Sequence, residues 1–162
     1  MPSTASKGGS GGREARFGLG RVFLSATAEA VRRGDRRVGT EHVLLALLSD
    51  PESVTARAVG VDIVTARDAL RALDERALLA VGVSAGCPGP VFPGRVGERL
   101  PLTPAAKGVF TGLRRAAQGE RLGVHHVLLT LLGGEHPDPA ADLLDSLAVN
   151  RTAVRDRLQA LR

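Results

Sequence analysis

Gly39-Thr40-Glu41-His42-Val43-Leu44-Leu45-Ala46-Leu47-Leu48 is the stretch that decides the fold. It returns 84 residues later as Gly123-Val124-His125-His126-Val127-Leu128-Leu129-Thr130-Leu131-Leu132, with seven of the ten positions identical. After its first residues each block is apolar nearly all round, which is typical of a helix buried at the centre of a domain. An internal repeat at a fixed spacing predicts a duplicated architecture. We therefore expect two copies of one helical unit that close their apolar faces on each other.

The segments around each block predict further helices. Apolar residues recur at helical spacing, and glycine or proline interrupts the pattern between the segments. The predicted helices cover about residues 16–33, 53–59, 62–73 with further turns to 81, 103–118, 138–147 and 150–161. Side chains that favour helix starts stand at the predicted N-caps. These are Thr40, Ser53, Asp62, Thr103 and Asn150.

The predicted fold class is all-α, a pseudo-symmetric duplicated four-helix repeat. Residues 1–15 are rich in glycine and serine and are expected to form a disordered tail. The first repeat should cover 16–81 and the second 102–162. Between them, residues 82–101 hold a high density of glycine and proline, which predicts a linker.

Composition excludes several classes of protein. Among 162 residues there is no Trp or Tyr and there are four Phe, so the core must be built from Leu, Val and Ala. The single cysteine, Cys87, allows no intrachain disulfide and no cysteine-rich zinc site. No apolar run reaches the ~18 residues of a membrane span, and the amino-terminal residues lack the apolar core of a secretory signal. We expect a cytoplasmic protein that does not bind a membrane.

The charge leaves two interpretations open. The formal net charge is +5, with 22 basic and 17 acidic residues. A basic surface attracts nucleic acids. However, the arginines are spread along the chain among acidic residues, and aromatic stacking platforms are nearly absent. We favour the interpretation that the arginines form an ordinary solvated surface. The alternative is that the chain is a nucleic-acid-associated or regulatory helical protein.

The block 39–48 resembles the core motif of the Clp amino-terminal repeat domain, which precedes the ATPase rings of Clp-type unfoldase chaperones. Two further segments are similar to the family: residues 103–107, which resemble the start of its second repeat, and residues 140–150, which resemble its third helix and exit. The likeness covers about 16–73 and 102–161. It implies a duplicated four-helix fold and a binding role in a bacterial cytoplasm.

The chain also departs from that family. Val124-His125 stands in the second repeat where Thr-Glu is expected, and no Gly-x-x-x-x-Gly-Lys-Ser/Thr phosphate loop occurs. The resemblance therefore implies a stand-alone recognition module and not an enzyme. It would bind peptides, protein clients or a small cyclic peptide, as an adaptor or a decoy for a Clp chaperone–protease. A scaffold without ligand specificity stays a third possibility.

Thr40 and Glu41 are the candidate ligand-binding residues. In some Gram-positive members of the resembling family, this Thr-Glu pair helps to bind phosphoarginine, a degradation mark. Helix-start N–H groups suit a phosphate, and a carboxylate suits a guanidinium. The structural alternative is that Thr40 caps the helix and Glu41 complements its dipole, an effect of about 0.3–1 kcal/mol.

Histidine is a common metal ligand, and the chain has four histidines. Consecutive His125 and His126 should point about 100° apart on a helix, which is poor geometry for one ion. His42 and His126 occupy equivalent positions, which favours a shared structural role in packing and helix-end hydrogen bonding. Neither a metal nor a cofactor is expected. Cys87 lies between Gly86 and Pro88, where no local base would activate it.

Overall fold

The computed structural model describes residues 18–83 and 99–160, and within these ranges every regular element is a helix. The all-α prediction is confirmed. The eight described helices are α1 (Leu19–Arg33), α2 (Thr40–Leu48), α3 (Val54–Val59), α4 (Ile63–Ala80), α5 (Pro104–Ala117), α6 (Val124–Leu132), α7 (Pro139–Ser146) and α8 (Arg151–Ala160). The predicted tail, the centre of the predicted linker and Cys87 lie outside the described residues.

Each repeat consists of four helices, and α5 to α8 of the second repeat correspond in sequence order to α1 to α4 of the first. The 84-residue shift that aligns the two sequence blocks carries the bounds of α2 onto those of α6, and both helices have nine residues. For the last helix of each repeat, the structure describes 18 residues in α4 and 10 in α8.

Most helix starts lie at the predicted caps. The side chains of Ser53, Asp62, Thr103 and Asn150 each accept a hydrogen bond from a backbone N–H three residues later. These predictions are confirmed. The prediction for Thr40 is wrong: Gly39 is the N-cap of α2 and Thr40 is the first helical residue. The helix predicted over 62–73 runs without interruption to Ala80.

The central helices α2 and α6 form the middle of one shared core. In α2 every residue except Glu41 is buried. α2 packs against α5, α6 and α7 of the second repeat as well as against its own neighbours. Fully burying one leucine contributes about 1.5–3 kcal/mol, so the leucines shared by the two blocks account for a large part of the cohesion. The two repeats therefore fold on each other and not side by side.

A short backbone contact also joins the repeats. The N–H of Val38 donates to the carbonyl of Pro101 at 2.9 Å, and the N–H of Thr103 donates to the carbonyl of Val38 at 2.9 Å. This isolated parallel bridge between Val38 and Leu102 fixes the entry of α5 beside the entry of α2. In the described part of the chain no helix is both long and apolar enough to cross a lipid bilayer.

A buried carboxylate joins α1 to α4. The Glu29 side chain is 8% exposed and accepts hydrogen bonds from Arg67, through Nε at 3.2 Å and through Nη2, and from Arg32 Nη2 at 2.7 Å. Burial alone would raise the pKa of Glu29, but the hydrogen bonds and charges of Arg67 and Arg32 outweigh it and lower the pKa. Glu29 is therefore held in its charged form by the two arginines.

Replacing Glu29 by Gln should lower the free energy of unfolding by about 1–3 kcal/mol at pH 7, because charge-assisted hydrogen bonds are lost from a buried site. Since the folded pKa lies below the unfolded one, the contribution is present above the unfolded pKa and fades as pH falls through the folded value. Urea unfolding at several pH values measures it. Asp68→Asn, which removes an exposed pair with Arg71, is the matched control and should change little. A loss no larger than the control's would contradict the assignment.

Candidate functional site at the start of the central helices

The third residue of each central helix is a histidine that accepts a hydrogen bond from the N–H of the glycine N-cap. The N–H of Gly39 donates to Nδ1 of His42 at 3.0 Å. Because Nδ1 accepts, the proton of the neutral ring is on Nε2. That nitrogen lies 2.9 Å from Oδ2 of Asp35 and donates to it. His42 thus connects the start of α2 to the loop that precedes it, with its ring almost fully buried.

The second repeat copies this arrangement. The N–H of Gly123 donates to Nδ1 of His126 at 3.1 Å. Its Nε2 lies 3.8 Å from Oε2 of Glu120, which takes the place of Asp35 in the preceding loop. The shared structural role predicted for His42 and His126, packing and helix-end hydrogen bonding, is confirmed.

The carboxylate of Asp35 is the centre of a small charged network. The hydrogen bond from His42 is the largest cause that lowers the pKa of Asp35, to about 2; burial opposes it and Arg33 adds to it. Arg33 Nε lies 2.9 Å from Asp35, and its Nη2 lies 2.8 Å from Asp74 on α4. The start of α2 is thereby tied to the end of α1 and to the middle of α4.

Thr40 links the two repeats. Its hydroxyl donates to the carboxylate of Asp138, with oxygen distances of 3.0 and 3.1 Å, and accepts the N–H of Ala140 at 3.3 Å. Asp138 is also the N-cap of α7 and accepts the N–H groups of Ala140 and Ala141. The hydroxyl that was expected to cap α2 therefore serves the start of a helix in the other repeat.

Glu41 folds back over the start of its own helix. Its side chain is 15% exposed, and its Oε1 lies 3.2 Å from Nδ1 of His42. A Cβ on Gly39 would lie 2.2 Å from Oε2 of Glu41, so the carboxylate occupies the space that only glycine leaves open. Oε2 is buried and accepts no hydrogen bond from any described residue.

His125 takes the position of Glu41 in the second repeat. Its ring folds back over Gly123, where a Cβ would lie 2.7 Å from its Cε1. This brings the rings of His125 and His126 to a centroid distance of 3.9 Å. The expected divergence of the two rings is wrong, because the side chain of His125 turns back along the helix and does not radiate from it.

Glu120, His125 and His126 consequently offer one ligand atom each within 4.8 Å of one another. The chemistry of His126 does not suit a metal in this arrangement. Its Nδ1 accepts the Gly123 N–H, so its proton is on Nε2, the nitrogen that faces Glu120. A metal-bound histidine instead donates its other ring N–H to a partner. The geometry fits a histidine–carboxylate contact at a helix start.

A second feature lies at the far end of α4. Large apolar side chains are exposed on its last turn and in the residues that follow: Leu78, Leu79, Val81 and Val83 are 42%, 61%, 73% and 49% exposed. Clustered exposed apolar groups mark interaction sites more often than single ones. The sequence predicts further helical turns up to about residue 81, but helical spacing alone does not show that these apolar side chains stay exposed.

Two partners in these networks were missed at the sequence level. Asp35 precedes α2 by five residues and Asp138 follows Thr40 by 98 residues, and neither spacing forms a recognised motif. For Asp35, the only indication in the sequence is the histidine that follows each glycine N-cap in both repeats. For Asp138, no local pattern indicates the contact with Thr40.

The chain is similar in sequence to one known protein family and to several curated proteins. Residues 7–60 and 19–121 match the family described as the Clp repeat (R) N-terminal domain. Curated relatives are described as ATP-dependent Clp protease ATP-binding subunit ClpA homologs. The one from Trieres chinensis is 31% identical over 141 residues, 84% of this chain and 14% of the relative. Those from Guillardia theta and Porphyra purpurea are 31% and 30% identical, over 85% and 83% of this chain and 16% and 15% of the relatives. The chain thus spans about 15% of the length of these curated relatives.

Replacing Thr40 by Val should lower the free energy of unfolding by about 1–2 kcal/mol, because Asp138 loses a donor and Ala140 an acceptor at a buried site. The side-chain shape is kept. Thr111→Val on α5 is the matched control, since that exposed hydroxyl only bonds to the carbonyl of Gly108 in its own helix. Urea unfolding compares the two. Equal stability of the variants would show that the link between repeats contributes nothing.

Proposed function

Because the chain belongs to the Clp repeat (R) N-terminal domain family, we propose that it is a non-catalytic binding module of a Clp chaperone–protease system in the cytoplasm. It recognises protein clients, peptides or small ligands and acts as an adaptor or as a decoy. An adaptor brings a client to the chaperone, whereas a decoy occupies clients or partners that the chaperone's own amino-terminal domain would bind. The relatives' names, which describe ATP-binding subunits of an ATP-dependent Clp protease, support this setting.

The observation that carries the proposal is the exposed apolar end of α4. Leu79 and Val81, the most exposed of its apolar side chains, are 61% and 73% exposed. Apolar side chains that the fold leaves in water favour association with another protein surface. The core does not need these side chains, since α4 contributes its buried residues, Ala66 and Leu70, from its first half.

The basic charge gives less support to the nucleic-acid alternative. Several arginines are used inside the fold: Arg67 binds Glu29, Arg151 binds Asp145 and the carbonyl of Gly134, and Arg155 and Arg157 donate to backbone carbonyls. Guanidinium groups held in this way are less available for phosphates. Binding driven by phosphate contacts would in addition weaken steeply with salt.

Adaptor and decoy make opposite predictions for client degradation. With a purified Clp ATPase–peptidase and fluorescein-labelled casein, an adaptor raises the degradation rate and a decoy lowers it. The double variant Leu79→Glu/Val81→Glu should abolish either effect, because truncating or charging an apolar anchor weakens binding about tenfold or more.

The matched control is Leu24→Glu, which charges a leucine on a different helix, α1, that is 68% exposed. It should behave like the unmodified chain. If the unmodified chain leaves the degradation rate unchanged at every concentration, the proposed function is wrong. If both charged variants retain full effect, the end of α4 is not the surface involved.

The start of α2 is a candidate ligand site within this function. Oε2 of Glu41 accepts no hydrogen bond from any described residue, and a guanidinium is the donor that best matches a carboxylate. The second repeat has His125 in that position, and the hydroxyl of Thr40 is bound to Asp138. We therefore propose one site, in the first repeat, for a ligand such as phosphoarginine, with Glu41 as the main contact. A small cyclic peptide is the other candidate ligand.

Calorimetric titration with free phosphoarginine should show saturable binding near one equivalent. Glu41→Ala should abolish it, because the guanidinium loses its carboxylate partner. Glu52→Ala, which removes an exposed carboxylate between α2 and α3, is the control and should bind normally. Absence of heat, or equal heat with Glu41→Ala, would leave Glu41 as a helix-start residue only.

A further inference from the structure

An apolar groove lies at the opposite end of α4 from the exposed apolar end described above. Its volume is about 350 Å³, and it is formed by the end of α2, the α2–α3 loop, α3, the turn into α4 and the first residues of α4. The lining residues are Leu48, Pro51, Ala56, Gly60, Val61, Asp62, Ile63 and Val64. Val64 is 60% exposed, so the groove is open to a partner.

The rim of the groove is acidic although the chain is basic overall. Asp62 is the single charged lining residue, and its carboxylate is oriented by Thr65, whose N–H and hydroxyl donate at 2.9 and 2.6 Å. Asp50 and Glu52 flank Pro51 on the other side. The hydrogen bonds from Thr65 lower the pKa of Asp62, which keeps it charged at neutral pH.

The basic groups nearby do not cancel this rim. Arg157 lies beside the lining residue Gly60, but its Nη1 is already used as a donor to the carbonyl of Ala58 at 3.0 Å. Arg57 follows the lining residue Ala56 on α3 and is therefore turned about 100° away from it around the helix. An occupant of this groove meets an apolar floor with carboxylates on both sides.

We infer that this groove binds an extended client segment in which an apolar side chain is flanked by arginine or lysine. The apolar side chain fills the groove, and the flanking cations lie against Asp62 and the Asp50–Glu52 pair. The inference rests on the proposed function and deepens it. Val64 and Leu79 are 15 residues apart on one helix, a distance of about 22 Å, so the groove and the exposed apolar end of α4 are separate surfaces.

Fluorescence anisotropy with two labelled ten-residue peptides tests the groove. Both peptides have a central leucine–phenylalanine pair, flanked by arginines in one and by glutamates in the other. We expect the basic peptide to bind at least tenfold more tightly than the acidic one, with an affinity that falls as salt is raised. Equal binding of the two peptides, or no binding of the basic one, would overturn the inference.

Two variants separate the floor from the rim. Val64→Asn should weaken the basic peptide about tenfold, whereas the matched Leu24→Asn on α1 should not. Asp62→Asn, which still caps α4 because asparagine is an equally good N-cap, should reduce both the preference for the basic peptide and the salt dependence. If Val64→Asn binds the basic peptide with unchanged affinity, the peptide does not bind in this groove.

The degradation assay distinguishes failure of this inference from failure of the proposed function. If the unmodified chain changes casein degradation and Val64→Asn does so equally, the function stands and the groove is not its client site. If the chain has no effect on degradation but binds the basic peptide through Val64, the groove stands and the proposed link to a Clp chaperone is wrong.

Discussion

The hydrogen bond from a glycine N-cap to a buried histidine is the constraint on which the two central helices depend. A helix that is apolar nearly all round must be buried, yet its first N–H groups have no partner inside the helix. His42 and His126 each accept one such N–H, from Gly39 and Gly123, and their other ring nitrogens face carboxylates in the preceding loops. An unsatisfied N–H at these positions would oppose the burial that holds the two repeats together.

The same geometry explains why the N-caps are glycines. The residue two positions after each glycine folds back over it, and a Cβ there would lie within 3 Å of the Glu41 carboxylate or the His125 ring. The two repeats thus share a helix-start design but fill it differently, with a carboxylate in one and an imidazole in the other. A ligand that recognises charge at this position would distinguish the two starts, although their backbones correspond.

The fold was largely predictable because its signals are local or repeated. Ser53, Asp62 and Asn150 cap helices through N–H groups three residues away, and the repeated block identified the buried centre. The site was less predictable because its contacts are not local. Thr40 has the composition of an N-cap, but its hydroxyl bonds to Asp138, which is close to it only after the repeats have packed. The fold-back of His125 likewise depends on a side-chain rotamer that helical spacing does not determine.

Function is expected where the two repeats differ, since what they share is used for folding. Seven of the eight shared leucines are buried, with Leu129 partly buried, and the shared histidines accept backbone N–H groups. One such difference among the described residues is the carboxylate of Glu41, where the second repeat has the imidazole of His125. A duplicated domain can change these positions without disturbing the core, because the counterpart repeat keeps the packing partners in place. The ligand site proposed at Glu41 accordingly belongs to the first repeat, whose central helix packs against α5, α6 and α7 of the second.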